Sequence, residues 1–396
     1  MMTSFPALDE EPPPPSLRSR LGLMAIALVA VAVLAGAGLG SWAIYNSVSG
    51  GGSSGASNHL LVLTGAKFLA FEKPDGSVVK QFDRLGAIAG STGYVSPDGR
   101  TLLTDTGDTV TLSDGEPVSH STALYAPFAS TSIVKNTGGG VYDSPVGVFT
   151  LGPFADHGAD VVFSTPELLP NGTPGSRQAV SIVATKGGRA RSLGVVDDYA
   201  GDPQQAAAFV SVPTAGQANS SGNLVDTAIE HRVVGGPTTT VVTTTQVAKD
   251  LGLAETPQMS LDPLPDPSGK ELAVVARYPW GEPLGLLVYT RAGKLVTRTN
   301  AAPAGPLNWN PAGSKLLFDT GHGAAVWTPG GGTQIIPTPP SASLIQSCVW
   351  SPDGNQAVCL GSPGQQQRYD VWVDFDLAKG AARTYPQAGV PLLWLN

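Results

Sequence analysis

Only two cysteines occur in the 396 residues, Cys348 and Cys359, and they bracket the stretch CVWSPDGNQAVC. Two thiols can form a disulfide, ligate a metal or supply a reactive nucleophile, and the compartment decides among these. A metal site would need further ligands. The histidines (His59, His120, His157, His231 and His322) are scattered, with no HxH or HExxH spacing, and read as loop or surface residues. The one GxSxG match, Gly51 to Gly55, lies in a Ser/Gly tract. A nucleophile elbow needs a strand before it and a helix after it, so the match is set aside. Asp374 and Asp376 alternate along one stretch and share a strand face. A carboxylate pair there could do acid–base work, but solvated strand polarity is the simpler reading. Asp197-Asp198-Tyr199 offers a weak calcium or substrate site. No phosphate loop or zinc pattern occurs. No catalytic residue, metal site or cofactor is therefore assigned.

The elements that position these residues follow from a repeat. WSPDGNQAVCL (350–360), WNPAGSKLLFD (309–319), PDPSGKELAVV (265–275) and VSPDGRTLLTD (95–105) each place a Pro-containing turn ending in Gly before a short apolar strand. Pro presets φ early in such a turn, and Gly takes the late position that needs φ above zero. A second strand, a Gly turn and a third strand follow, as in VWVDFD-LAKG-AARTY. With the strand before the turn, the unit is four short strands, a to d, over some 41–44 residues. That is the pattern of a β-propeller blade. Candidate b strands centre near Val62, Leu103, Val162, Phe209, Val274, Leu317 and Val358. The fold class is thus all-β, a seven-bladed β-propeller, with six or eight blades as alternatives. The abundance of Gly and Pro (49 and 34) and a charged fraction of 14% suit so turn-rich an architecture.

The chain ends fit a ring. Trp394 follows Trp350 by 44 residues, and Trp350 follows Trp309 by 41. Residues 391–396 therefore read as an a strand, and LLVLT, KFLAFE and SVVKQF as b, c and d strands with no a before them. One blade is built from both termini, which pairs strands that would otherwise be exposed edges. The same arithmetic places the cysteines symmetrically about the Asp353-Gly354 turn. They should face one another across the a–b hairpin, where Cβ atoms lie about 4.5–5.5 Å apart, so a Cys348–Cys359 disulfide is expected.

The WSPDG turn, the strand NQAVCL and the following DVWVDFD resemble the repeats of TolB-like propellers of bacterial envelopes. The matching segments are 262–396 and 93–122, whereas 123–260 carries no SPDG. The resemblance implies a non-enzymatic envelope propeller that binds other proteins.

Compartment is read from residues 21–45, LGLMAIALVAVAVLAGAGLGSWAIY. No Asp, Glu, Lys or Arg occurs from Leu21 to Ala66, and Arg18 and Arg20 precede the span. Such a length suffices for a transmembrane helix. The charge asymmetry puts the N-terminus in the cytoplasm and the rest outside the plasma membrane. The alternative is secretion after signal cleavage. The expected organisation is a disordered cytoplasmic tail over 1–20, a transmembrane helix over 21–45, a Gly/Ser-rich tether over 46–58 and the propeller over 59–396. A net charge of −8 supplies no basic footprint for nucleic acid.

The a–b and c–d turns are short. The longer segments (123–150, 164–178, 213–224, 246–260, 277–284 and 362–368) are all b–c or d–a connections, which share one face of a propeller. Loops on a rigid scaffold carry function more often than the scaffold does. Exposed aromatic and Arg residues there are the expected anchors. These are Tyr278, Trp280 and Glu282 in RYPWGEPLG, Tyr142 with Asp143, and Arg368 with Tyr369. The expected role is a membrane-anchored protein-binding or scaffold module whose partner is an envelope or extracellular protein. The alternative is a propeller enzyme, of lactonase or glycan-cleaving type, acting on a small extracellular substrate.

Overall fold

The computed structural model describes residues 59–64, 67–71, 78–82, 93–96, 99–104, 108–113, 116–121, 150–168, 174–213, 227–299, 301, 303–305, 307–321, 323–363, 371–386 and 389–395. The tail, span and tether (1–58) lie outside these residues. Among the described residues, no helix is long and apolar enough to cross a membrane.

The described strands form seven four-stranded antiparallel sheets, each following the a-to-d order. Blade 1 contains β1 (His59–Thr64), β2 (Lys67–Phe71) and β3 (Val78–Phe82) as strands b to d. Blade 2 contains β4 (Gly93–Val95), β5 (Thr101–Thr104), β6 (Thr109–Ser113) and β7 (Glu116–Ser121). Blade 3 contains β8 (Thr150–Ala155), β9 (Asp160–Leu168), β10 (Pro174–Ala184) and β11 (Arg191–Val196). Blade 4 contains β12 (Asp198–Gly201), β13 (Ala207–Pro213), β14 (Thr227–Val233) and β15 (Thr238–Thr243). Blade 5 contains β16 (Ser260–Pro265), β17 (Glu271–Arg277), β18 (Pro283–Thr290) and β19 (Leu295–Thr299). Blade 6 contains β20 (Leu307–Trp309), β21 (Leu316–Asp319), β22 (Ala324–Trp327) and β23 (Thr333–Ile336). Blade 7 contains β24 (Leu344–Trp350), β25 (Gln356–Ser362), β26 (Val371–Asp376) and β27 (Ala381–Pro386). The last strand, β28 (Val390–Leu395), returns to blade 1 as its a strand. It pairs antiparallel with β1, Leu60 opposite Trp394 and Leu61 opposite Leu393.

Packing closes the circuit. One apolar cluster joins blades 7, 1 and 2 through Val358, Leu61, Trp394 and Leu102. The next joins blades 2, 3 and 4 through Leu103, Phe163 and Tyr199. Blades 4 and 5 share Phe209, Ile229 and Leu261. Blades 5 and 6 share Leu264 and Trp309. Blades 6 and 7 share Leu317 and Trp350. The molecule is a β-propeller whose core is a ring of inter-blade layers.

The repeated turn explains its own composition. In WSPDG, Ser351 N–H donates to the Gln356 carbonyl and Gly354 N–H to the Ser351 carbonyl, both at 2.9 Å. The same two bonds recur at Asn310, Asp266 and Ser96. The side chain at each of these four positions accepts the N–H that opens strand b, at 2.9 Å for Ser351, 2.9 Å for Asn310, 2.7 Å for Asp266 and 2.8 Å for Ser96. A short acceptor is needed, so Ser, Asn and Asp interchange while apolar residues cannot. The turn glycine has a second reason. At Gly354, where φ is +66°, an added Cβ would sit 2.8 Å from Asn310 Nδ2 of the preceding blade. Tryptophan on strand a serves the same junction. Trp350 Nε1 donates to the Asn308 carbonyl (3.3 Å) and Trp309 Nε1 to the Leu264 carbonyl (3.1 Å), each reaching back one blade.

Cys348 and Cys359 form the disulfide across the a–b hairpin of blade 7. Val349 opposite Val358 and Trp350 opposite Ala357 continue the register that their spacing demands.

Two expectations about loops are corrected. Most of 164–178 is strand: β9 runs to Leu168 and β10 starts at Pro174, so an extended hairpin replaces the expected loop. Glu167 and Arg177 brace it with two side-chain bonds of 2.8 and 2.9 Å. The 246–260 connection begins within a helix, α1 (Thr244–Leu251). Thr243 caps it by accepting the Gln246 N–H, and Val247 and Ala248 are buried between blades 4 and 5. TTQVAKDLG carries a helical cap and period that the surrounding β pattern obscures.

Candidate functional site

The b–c connection of blade 5, residues 278–282, is a tight tip. Tyr278 N–H donates to the Glu282 carbonyl and Gly281 N–H to the Tyr278 carbonyl, both at 2.8 Å. This folds the tip so that the rings of Tyr278 and Trp280 stack, centroids 4.4 Å apart and planes within 8°. Trp280 Nε1 donates to Glu282 Oε2 at 3.1 Å. Trp280 nonetheless remains 70% exposed. The three tip residues singled out from sequence are therefore brought together as one platform. Tyr142, Asp143, Arg368 and Tyr369 lie outside the described residues.

Arg277 ties the platform to the inner end of the blade. Its Nε donates to Asp262 Oδ2 (2.8 Å) and its Nη1 to the Gly281 carbonyl (3.4 Å). Asp262 sits on the innermost strand of blade 5, and Asp198 on that of blade 4. The two positions are equivalent, each four residues ahead of the aspartate that heads the a–b turn, Asp266 and Asp202. Burial raises the Asp198 carboxyl well above the usual range, and the Asp262 charge raises it further; the Tyr199 N–H and Arg277 oppose this. Burial also pushes Asp197 up to about 6, opposed by Arg177 and reinforced by Glu167. Arg177 and Arg277 are ion-paired with Glu167 and Asp262. Among the described residues, neither Asp197 nor Asp198 has an ion-pair partner. Ser211 stands opposite Asp198 on β13, so the two side chains share a face of the sheet. Ile229, next across that sheet, packs into the core shared with blade 5, so this face turns toward blade 5. Ser211 Oγ is buried and has no hydrogen-bond partner among the described residues.

The other polar candidates serve structure. His231, read from sequence as a surface residue, is buried: its Nε2 lies 2.8 Å from Asp202 Oδ2. Arg291 of blade 5 joins this pair and lies over the Phe209 ring, its Cζ 5.8 Å from the centroid. The triad clamps the short-turn ends of blades 4 and 5. Asp376 accepts the Lys379 N–H and pairs with its ammonium, anchoring the c–d turn of blade 7. Among the described residues, no group of three or more His, Cys, Asp or Glu is arranged to hold a metal ion.

Sequence reasoning noted Asp197 and Asp198 but missed Asp262, Arg277, Glu167, Arg177 and Ser211. The one available signal was the recurrence of Asp four residues before the turn head in blades 4 and 5.

No family model and no curated protein matches the chain. Three solved structures to which the chain is similar illustrate the level of likeness. The structure of apo AztD from Citrobacter koseri is 12% identical, covering 84% of this chain and 81% of that one at a TM-score of 0.43. The β-propeller domain of Myceliophteria thermophila Cps50 (Swd1) is 11% identical, covering 77% and 89% at 0.43. A chain of a nidogen/laminin complex is 11% identical, covering 85% and 97% at 0.40. At these values the likeness carries no functional argument; the chain is a β-propeller by its own sheets and packing.

Proposed function

We propose that the protein is a membrane-anchored, extracytoplasmic β-propeller, akin to TolB-like envelope propellers, that binds another protein through the face bearing its b–c connections. The observation that carries this reading is the Tyr278–Trp280 stack. A large apolar ring held at 70% exposure by its own stack and by Glu282 has lost its conformational freedom before any partner arrives. Rigid exposed aromatics of this kind are the usual anchors of interfaces. The extracytoplasmic placement rests on the apolar 21–45 segment with its preceding arginines and agrees with a disulfide in blade 7. The kinship rests on the recurring Ser/Asn/Asp-Pro-x-Gly turns.

An enzymatic reading, a lactonase or glycan-cleaving propeller, draws support only from the raised carboxyls of Asp197 and Asp198, since perturbed carboxyls gather at catalytic sites. The test is crosslinking in intact cells followed by affinity purification of the full chain, wild type against Trp280→Ala. Selective loss of crosslinked species in the variant, at unchanged abundance and melting temperature, is the expected result. Identical crosslinking patterns would remove this face from consideration.

A further inference from the structure

We infer that the notch between blades 4 and 5, bounded by Asp198, Asp262 and Ser211 with Asp197 beside them, receives the guanidinium or ammonium group of a basic side chain. This deepens the protein-binding reading above and rests on it for the source of that side chain.

Charge is the first argument. Asp198 and Asp262 supply two carboxylates to the notch and Glu282 one to the tip, Asp197 and Glu167 lie beside Asp198 toward blade 3, and Arg277 and Arg177 are the guanidiniums that act on them. Both guanidiniums are engaged, with Glu167 and Asp262. Neither is left to receive an anion. Asp197 and Asp198 carry the surplus, and successive carboxylates without a counter-ion are costly where solvent is restricted. A ligand cation relieves that cost, which burial imposes by raising both carboxyls.

Ser211 is the second, independent argument. Its Oγ is 1% exposed and unpartnered among the described residues, although it shares the sheet face of Asp198. A buried hydroxyl without a partner is left with the cost of its lost hydration. Oriented N–H donors of a guanidinium or ammonium can serve Asp198 and Ser211 together. A bound metal fits less well, since the described residues hold no metal-binding group of three. The neighbouring platform suits the same occupant: Arg277 links the Trp280 tip to Asp262, and indole faces attract cations.

The test needs no knowledge of the partner. N-acetyl-arginine methylamide is titrated into the full-length protein by NMR or calorimetry, beside its citrulline counterpart, which keeps the shape and loses the charge. The arginine compound should bind at least about tenfold more tightly than the citrulline one. Asp198→Asn should reduce its affinity by about tenfold. Asp198→Asn keeps the neutral form that burial favours at this position, so it should fold about as well as wild type. Asp197→Asn provides a second variant with the same expected direction. Affinity should also fall from about pH 8 to about pH 5 as Asp197 takes up a proton, with Glu167, Arg177 and Asp198 as the charged groups facing it. Equal binding of both compounds, no binding of either, or full binding by folded Asp198→Asn would each overturn the inference. Probe binding is read independently of partner capture. A Trp280→Ala protein that still captures its partners would sink the interface reading without touching the notch. Lost capture with no probe binding would do the reverse.

Discussion

Deleting residues 390–396 removes a single strand, yet it should abolish cooperative folding. β28 is the a strand of blade 1, and β1 pairs with it from His59 to Leu63. Leu392, Leu393 and Trp394 are at most 1% exposed and belong to the cluster that joins blades 7, 1 and 2. Truncating a buried Trp to Ala costs about 3–5 kcal/mol and a buried Leu about 2–5 kcal/mol, so the three side chains alone represent roughly 7–15 kcal/mol. Net stabilities of domains are about 5–15 kcal/mol. The deletion also bares the β1 edge and opens the ring. Near-ultraviolet circular dichroism and tryptophan fluorescence, followed on heating, should show no sharp transition for the truncated chain. Trp394→Ala should keep a cooperative transition at a lower midpoint, with a loss of about 3–5 kcal/mol. A synthetic peptide covering 387–396, added in trans, should restore a transition to the truncated protein. If the truncated chain melts as sharply and as high as the full one, β28 does not close the ring and the assignment of blade 1 fails.

The Cys348–Cys359 bridge should leave no free thiols under non-reducing mass spectrometry, and replacing both residues by Ser should cost at most about 3 kcal/mol, because so short a loop is already held by its hairpin. Gly354→Ala should destabilise by about 1–2 kcal/mol from the left-handed backbone alone, and by more if Asn310 cannot give way, as read from denaturant midpoints. Arg291→Ala should cost about 3 kcal/mol or more, since it strips a cation from the fully buried Asp202; an unchanged midpoint would show that the triad does not clamp blades 4 and 5. Asp197 holds its proton more tightly when folded than when unfolded, so the folded chain binds more protons and stability falls as pH rises from about 4 to about 6. Asp197→Asn should remove that loss, melting higher than wild type above about pH 6 and alike near pH 4.

The amino-acid sequence by itself determined the repeating unit, the sharing of one blade between the two ends, and the Cys348–Cys359 pair. Each depends on local rules with a fixed period. A Pro-to-Gly turn needs a short acceptor at its head, a strand alternates faces, and residues symmetric about a hairpin must meet. Trp309, Trp350 and Trp394 mark the same rung of three blades for the same reason, since each fills the joint behind an a strand. The tip residues Tyr278, Trp280 and Glu282 were legible because they lie within five residues of one another. Only the tertiary structure decided the rest. His231 meets Asp202 and Arg291 across 29 and 60 residues, and their burial follows from how blades 4 and 5 abut. Asp198 and Asp262 are 64 positions apart, and nothing local to either says that the charge of one acts on the other, that Arg277 is taken by Asp262, or that Ser211, opposite Asp198, has no partner among the described residues. The joint between blades is created by closing the ring, so what it holds is a property of the closed ring and of no single repeat.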